Sequence, residues 1–322
     1  MKNGLGQVFL RTRIGMMLWL SALFLLATPL AAIADQYGDF TYSINADNTI
    51  TITGYTGAGG AVEIPSTIEG KTVISIGDYA FYVCTSLSRV TIPNSVTNIG
   101  LNAFHGCTSL TSVMIGSGVT SMGGYVFLSC TNLTAITVAE GNSVYSSMDG
   151  VLFNKNLTWL IQCPAGKAGN YMIPTSVTNI GEYAFHSCLS LTSVTIPDSV
   201  TCIGYRAFYS CARLDHVVIG NSVFSIGDSA FNACPSLIRV TIPDSVDNIG
   251  QDAFSGCTSL ISVTIGSGVT SIGNYAFNDC PSLTEFTVVA GNSVYSSMDG
   301  VLFKNLTTLV ICPMGKSGSY II

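Results

Sequence analysis

Charged side chains are scarce in this chain: Asp, Glu, Lys and Arg together make up 9% of its 322 residues, against 48% hydrophobic residues. With 33 glycines alongside, most polarity comes from Ser, Thr and Asn, a profile that suits a β-rich extracellular protein better than a cytosolic enzyme. Basic residues are few, 12 Lys and Arg against 18 Asp and Glu. Three of the 12 (Lys2, Arg11, Arg13) precede Asp35 and none of the acidic ones does, so the chain from Asp35 onward carries nine against 18, a net charge of −9. Phosphate backbones are repelled by such a surface, which argues against nucleic acid as a partner.

Signatures of chemistry are missing as well. There is no Gly-x-Ser-x-Gly elbow, no His-Glu-x-x-His helix and no phosphate-cradling glycine loop; Gly57-Ala58-Gly59-Gly60 lacks a following Lys-Ser/Thr and reads as a loop. No Cys-x-x-Cys knuckle exists, and the three histidines, His105, His186 and His216, are scattered, which speaks against a zinc ligand set. Asp198, Asp228, Asp244 and Asp252 sit beside Pro or Gly or in turn-like stretches, where Asp favours local backbone hydrogen bonds. The expectation is a protein without enzymatic activity, cofactor or metal.

What the chain does have begins with a leader. Lys2, Arg11 and Arg13 precede an apolar run from Ile14 to Leu30, and Ala32-Ile33-Ala34 gives a small-x-small site before Asp35. This reads as a secretory signal peptide over 1–34, with an uncleaved membrane anchor as the rival and Pro29 favouring cleavage. No membrane insertion is expected after cleavage, and the destination is secreted or cell-surface.

A unit AFxxCxSLxxVxIPxSVxxIG then repeats every 23 residues. Phe81, Phe104 and Phe127 keep that spacing, and after a gap of 58 it resumes through Phe185, Phe208, Phe231, Phe254 and Phe277, each followed three residues later by Cys. Apolar positions within one unit (Phe81, Cys84, Leu87, Val90, Ile92, Val96, Ile99) fall at steps of mostly three with one step of two. No single helix or strand gives that pattern. Steps of three suit tight turns, and the step of two at Val90-Thr91-Ile92 places both side chains on one face of a short strand. Pro93 stops the strand and Gly100 turns the chain. Rungs stacked about 4.8 Å apart would pair these strands in parallel and lay each Phe, Leu and Ile on its neighbour.

The unit resembles the BspA-type leucine-rich repeats of bacterial and protozoan surface proteins, over about residues 62–322. That resemblance implies a β-rich solenoid of 23-residue rungs with short parallel strands, and a surface adhesin or ligand binder, although the repeat specifies fold far better than function. The segment 35–61, where Phe40–Ile44 and Thr49–Thr53 alternate around Asn45-Ala46-Asp47-Asn48, reads as an N-terminal β-hairpin cap. Rungs follow over 62–138 and 175–288. Two segments, 139–174 and 289–322, carry an identical GNSVYSSMDGVLF at 141–153 and 291–303. Each reads as an inserted rung with a projecting hairpin turning at Asp149-Gly150, with Leu157–Ile161 as the returning strand. The second copy stops at Tyr320-Ile321-Ile322: either the natural protein is longer, or the chain ends in an uncapped rung through which copies could self-associate.

Eleven cysteines invite a disulfide framework, but neighbours about 4.8 Å apart lie slightly beyond the roughly 3.5–4.5 Å that a relaxed bridge needs. Buried free thiols are expected, with Cys84–Cys107 or Cys234–Cys257 the best candidates for a bridge. Partner binding should fall on outward strand positions, where residues line up in columns. One column is mostly Thr (Thr91, Thr137, Thr195, Thr241, Thr264, Thr287), as β propensity alone predicts. The column two positions earlier varies in charge, and Arg89, His216, Arg239 and Glu285 are the candidate contacts for a protein or glycan ligand. Tyr145 and Tyr295 of the inserts are a second candidate set if exposed.

Overall fold

The structure is a computed structural model that describes residues 35–317; residues 1–34, where a signal peptide is expected, and Tyr320-Ile321-Ile322 lie outside the described residues. Each rung closes through three hydrogen-bonded stacks. A longer strand such as Leu87–Thr91 pairs in parallel with Ser112–Ile115 of the next rung, Arg89 opposite Ser112 and Val90 opposite Val113. After Pro93 a two-residue strand, Asn98–Ile99, pairs in parallel with Ser121–Met122. The third stack is a layer of tight turns, in which Phe81 N–H donates to the Ala103 carbonyl at 2.7 Å and Val83 N–H to His105 at 2.8 Å.

That turn layer explains the steps of three. Its residue two after each glycine has a left-handed backbone whatever its type, from Tyr79 (φ 58°) through Arg206 (φ 50°) to Tyr275 (φ 60°). Such conformations are uncommon for residues other than glycine; in the uninterrupted rungs each is held by its N–H bond to the next rung, as Tyr79 to Leu101 at 2.9 Å and Arg206 to Asp228 at 3.0 Å. The glycine itself is required by proximity, since a Cβ at Gly204 would lie 2.8 Å from the carbonyl carbon of Gly181 in the rung before.

Phe side chains form the central column. Phe185, Phe208, Phe231 and Phe254 are fully buried, with successive ring centroids 4.6, 4.8 and 5.1 Å apart and planes within 14°. Beside them runs the Cys column, all free thiols. It does more than pack: wherever a Phe rung directly precedes it, the thiol donates to that rung's Phe carbonyl, Cys107 to Phe81 at 3.0 Å and Cys234 to Phe208 at 3.1 Å. Neither of the two bridges considered most plausible is formed.

The N-terminal cap is a three-stranded antiparallel ribbon of Asp35–Tyr37, Phe40–Ile44 and Ile50–Tyr55. Its last strand joins the solenoid by pairing in parallel with Lys71–Ile76, and Phe40 and Tyr55 cover the free face of Phe81. Rung pairing on the longer-strand side already starts at Gly60–Glu63.

The first insert folds differently from the projecting hairpin expected of it. Tyr145–Met148 and Val151–Asn154 do pair antiparallel around Asp149 (φ 51°) and Gly150 (φ 77°), and Trp159–Gln162 returns alongside. The hairpin nevertheless lies inside the solenoid, with Val151, Leu152 and Phe153 at most 1% exposed. The reason is in the run itself: three consecutive apolar residues on a strand present apolar faces to both sides. Leu152 packs into the core formed by residues 42–136, while Val151 and Phe153 pack into the core that continues to Leu302. One strand thus divides two cores. Trp159–Gln162 then takes the place of a short rung strand and pairs in parallel with Asn179–Ile180.

Candidate recognition surfaces

The longer strands form three panels, Gly60–Glu63 to Ala135–Val138, Gly169–Met172 to His216–Val218, and Arg239–Thr241 to Glu285–Val288. On their outer faces the expected columns are in register: Arg89 beside Ser112 and Ala135, Ser193 beside His216, and Arg239 beside Ser262 and Glu285. Arg89, His216, Arg239 and Glu285 are all exposed. Arg239 donates to Ser262 Oγ at 3.3 Å, which leans its guanidinium along the column toward Glu285. Only these two candidates share a panel; Arg89 and His216 each stand on their own.

Tyr145 and Tyr295 are not surface contacts. Tyr295 is buried, 5% exposed, and Tyr145 is half-buried. Each stands next to the last short strand of its block, whose N–H groups have no following strand to donate to. The Tyr295 hydroxyl accepts from Ile272 N–H at 3.1 Å, and the Tyr145 hydroxyl meets Met122 N–H in the same way; burial raises both phenols above their ordinary range. They plug the edge of a sheet. Asn142 does the same for the neighbouring turn: its amide donates to the carbonyls of Gly116 and Val119 and accepts from Val144 and Tyr145 N–H.

Sequence reasoning missed a surface on the turn layer, although its signal was visible as Tyr at the second position after Gly and Tyr or His after Phe. His105 stacks on Tyr82 and His186 on Tyr209, both at 5.3 Å. The Arg206 guanidinium lies 5.0 Å from the rings of both Tyr205 and Tyr209, and its Nη1 donates to the Tyr183 hydroxyl at 3.4 Å. Burial, with the Arg206 charge beside it, pushes His186 down to about 4, so its ring is neutral at pH 7 and acts as an aromatic plate. Among the described residues no group of three His, Cys, Asp or Glu could hold a metal ion, and no helix is long and apolar enough to cross a membrane.

Parallel short strands, an inward Phe–Cys–Leu–Ile set and outward columns define a leucine-rich-repeat solenoid, a fold that typically serves as a binding scaffold. The BspA type leucine rich repeat region matches residues 61–165 and 165–284, in six copies. The chain belongs to that family. A leucine rich cell surface protein of Faecalibacterium prausnitzii has a similar structure at 27% identity and TM-score 0.52, over 81% of this chain and 96% of its own. The pneumococcal vaccine antigen PcpA (20%, TM-score 0.60, 81% and 89% covered) and a leucine-rich repeat protein of Eubacterium ventriosum (22%, 0.53, 81% and 92%) share the fold. No curated protein sequence matches the chain.

Proposed function

We propose that this chain is a secreted or surface-displayed recognition protein that binds a protein or glycan through the outer face of its longer strands. The observation that carries the reading is the equivalent strand position of Arg89, His216, Arg239 and Glu285: side chains of different charge, all exposed, on a scaffold whose inward columns are nearly invariant. Variation of charge in an outward column of a regular scaffold is what a surface selected for specificity would show. Support comes from the leader-like first 34 residues and from the cell-surface relative at 27% identity. The test is a screen of the chain from Asp35 onward against extracellular-matrix proteins and a glycan array, repeated with Arg89→Ala, His216→Ala, Arg239→Ala and Glu285→Ala combined. Loss of at least tenfold in affinity, about 1.4 kcal/mol, with unchanged unfolding supports the reading; unchanged binding refutes it.

A second reading, a self-associating envelope component, rests on Leu306, Leu309, Val310 and Met314, all exposed at the second insert. Sedimentation of the chain at several concentrations separates the two, since a monomer throughout removes the second.

A further inference from the structure

The most informative break in the molecule is in its turn layer. In the uninterrupted rungs three amides per turn donate to three carbonyls of the next: Asn102, Phe104 and Gly106 to Gly124, Val126 and Leu128 at 2.9–3.0 Å, and Tyr183, Phe185 and Ser187 to Tyr205, Ala207 and Tyr209 at 2.7–3.0 Å. The pattern fails between these two turns, as it does again at Tyr275, Phe277 and Asp279 beside the second insert. The N–H groups of Tyr125, Phe127 and Ser129 have no acceptor among the described residues, and the carbonyls of Glu182 and His186, which should accept from the turn before, have no donor there. Only the central position is served, by Cys163 N–H to the Ala184 carbonyl at 2.7 Å.

The cause is in the insert. Cys163 stands where other rungs carry Phe, and it follows Trp159 by four residues, whereas Phe185 follows the paired Asn179 by six. The path is too short to lay a full turn against Tyr125–Ser129, and a thiol replaces a benzyl ring in the column. What remains is a cavity of about 250 Å3 between Tyr125, Phe127, Leu152, Ile161, Gln162 and Tyr183, equivalent to about eight waters. Two of its lining residues, Tyr125 and Tyr183, meet edge to face at 5.0 Å.

We propose that this slot binds a short segment of a partner polypeptide, which supplies the missing turn. Free donors at Tyr125, Phe127 and Ser129 stand at every second residue on one side, and the free carbonyls of Glu182 and His186 flank the occupied Ala184 carbonyl on the other, so an occupant must offer carbonyls at backbone spacing to one side and N–H groups to the other. A peptide main chain does both. A sugar ring carries no such alternating array. The apolar floor of Phe127, Leu152 and Ile161 takes one large apolar side chain of the segment, as each Phe is taken by the Phe before it elsewhere in the column. Entry of the segment parts the Tyr125–Tyr183 pair. This site is separate from the strand columns, and its existence does not depend on whether those bind anything.

The probe is an acetylated, amidated octapeptide with the sequence of residues 227–234, Gly-Asp-Ser-Ala-Phe-Asn-Ala-Cys, carrying Cys234→Ser; in the protein this sequence covers the preceding turn through the same three bonds. It is titrated to millimolar concentration into the 15N-labelled chain from Asp35 onward. Saturable shifts of the Tyr125 and Phe127 amides are expected, with those of Phe104 and Phe208 unmoved, and affinity at least tenfold weaker for the peptide carrying Phe231→Gly. The variant Ile161→Trp, which fills the cavity, should abolish the shifts, and the peptide series stands without it if that variant does not fold. No shift at Tyr125 and Phe127, shifts confined to the strand columns, or equal binding of the Phe231→Gly peptide overturns the proposal. So do shifts of these amides by oligomers of N-acetylglucosamine at concentrations where the peptide gives none.

Discussion

The run of rungs from Phe185 to Phe277 and the seam between Phe127 and Phe185 use the same residue types to different ends. In the run, every ring has a ring on each side, every thiol a carbonyl, and every turn amide from Tyr183 to Gly256 that faces the next rung an acceptor. At the seam the column is broken, a hairpin strand lies between two cores, and the satisfaction of the backbone passes to side chains such as Asn142 and Tyr145. Repetition alone gives a rigid rod with uniform faces. Interruption creates a place that differs from the rest, and in a solenoid such a place is where a specific partner can be held.

The largest expected effect tests the ring column. Phe208→Ala or Phe231→Ala removes a fully buried ring with two stacked neighbours and should cost about 3–5 kcal/mol in denaturant unfolding. Phe127→Ala, with a stacked ring on one side only, should cost visibly less; equal losses would mean that the seam is packed like the run. Next comes Asn142→Ala, which leaves buried carbonyls and amides without partners and should cost about 2–4 kcal/mol, with the unfolding signal coming from the first block. Tyr145→Phe keeps the ring and deletes only the acceptor for Met122 N–H, so about 1 kcal/mol is expected. If Tyr145→Phe were neutral while Tyr145→Ala were not, the ring and not the hydroxyl would close the sheet edge.

The smallest effects are in the pH profile. Burial raises the Cys84 and Cys280 thiols from 9.0 to about 11. The unfolded chain therefore releases these protons first, and the stability they lend is present below pH 9 and lost as pH rises from 9 towards 11. His186 runs the other way. Its ring is held neutral down to about 4 while the unfolded ring takes a proton near 6.5, so stability falls as pH drops through that window. Urea midpoints measured from pH 4 to 10.5 should show both shoulders, and the acid one should shrink in His186→Phe, leaving the smaller part due to His105, which burial also lowers. A flat profile contradicts the burial of these groups.

Much of this was legible beforehand. The 23-residue spacing gave the rungs, the Phe, Cys, Leu and Ile columns gave the core, and Asp149-Gly150 gave the insert's turn, because each rests on local periodicity or turn chemistry. The turn layer was not legible. Its left-handed positions are filled by Tyr, Arg, Ser and Asp rather than Gly, since hydrogen bonds to the next rung hold the backbone where propensity would not. The inserts were misread as projecting because a hairpin turn was weighed above Val151-Leu152-Phe153, whose two-sided apolar character required burial. Tyr145 and Tyr295 followed that error. The thiol-to-carbonyl bonds join residues 26 apart, a spacing that becomes meaningful only once the rung register is known.

Residue-by-residue hydrogen exchange of the turn-layer amides tests the contrast between run and seam most directly. Phe104, Phe185, Phe208, Phe231 and Phe254, with Asn102, Tyr183, Arg206, Ser229 and Asp252 two residues before them, should be strongly protected, and Phe127 and Tyr125, at the same two positions of their rung, should exchange at least tenfold faster. Equal protection at all of these positions would mean that the turn layer is continuous across the insert and that the seam is no different from the rungs around it.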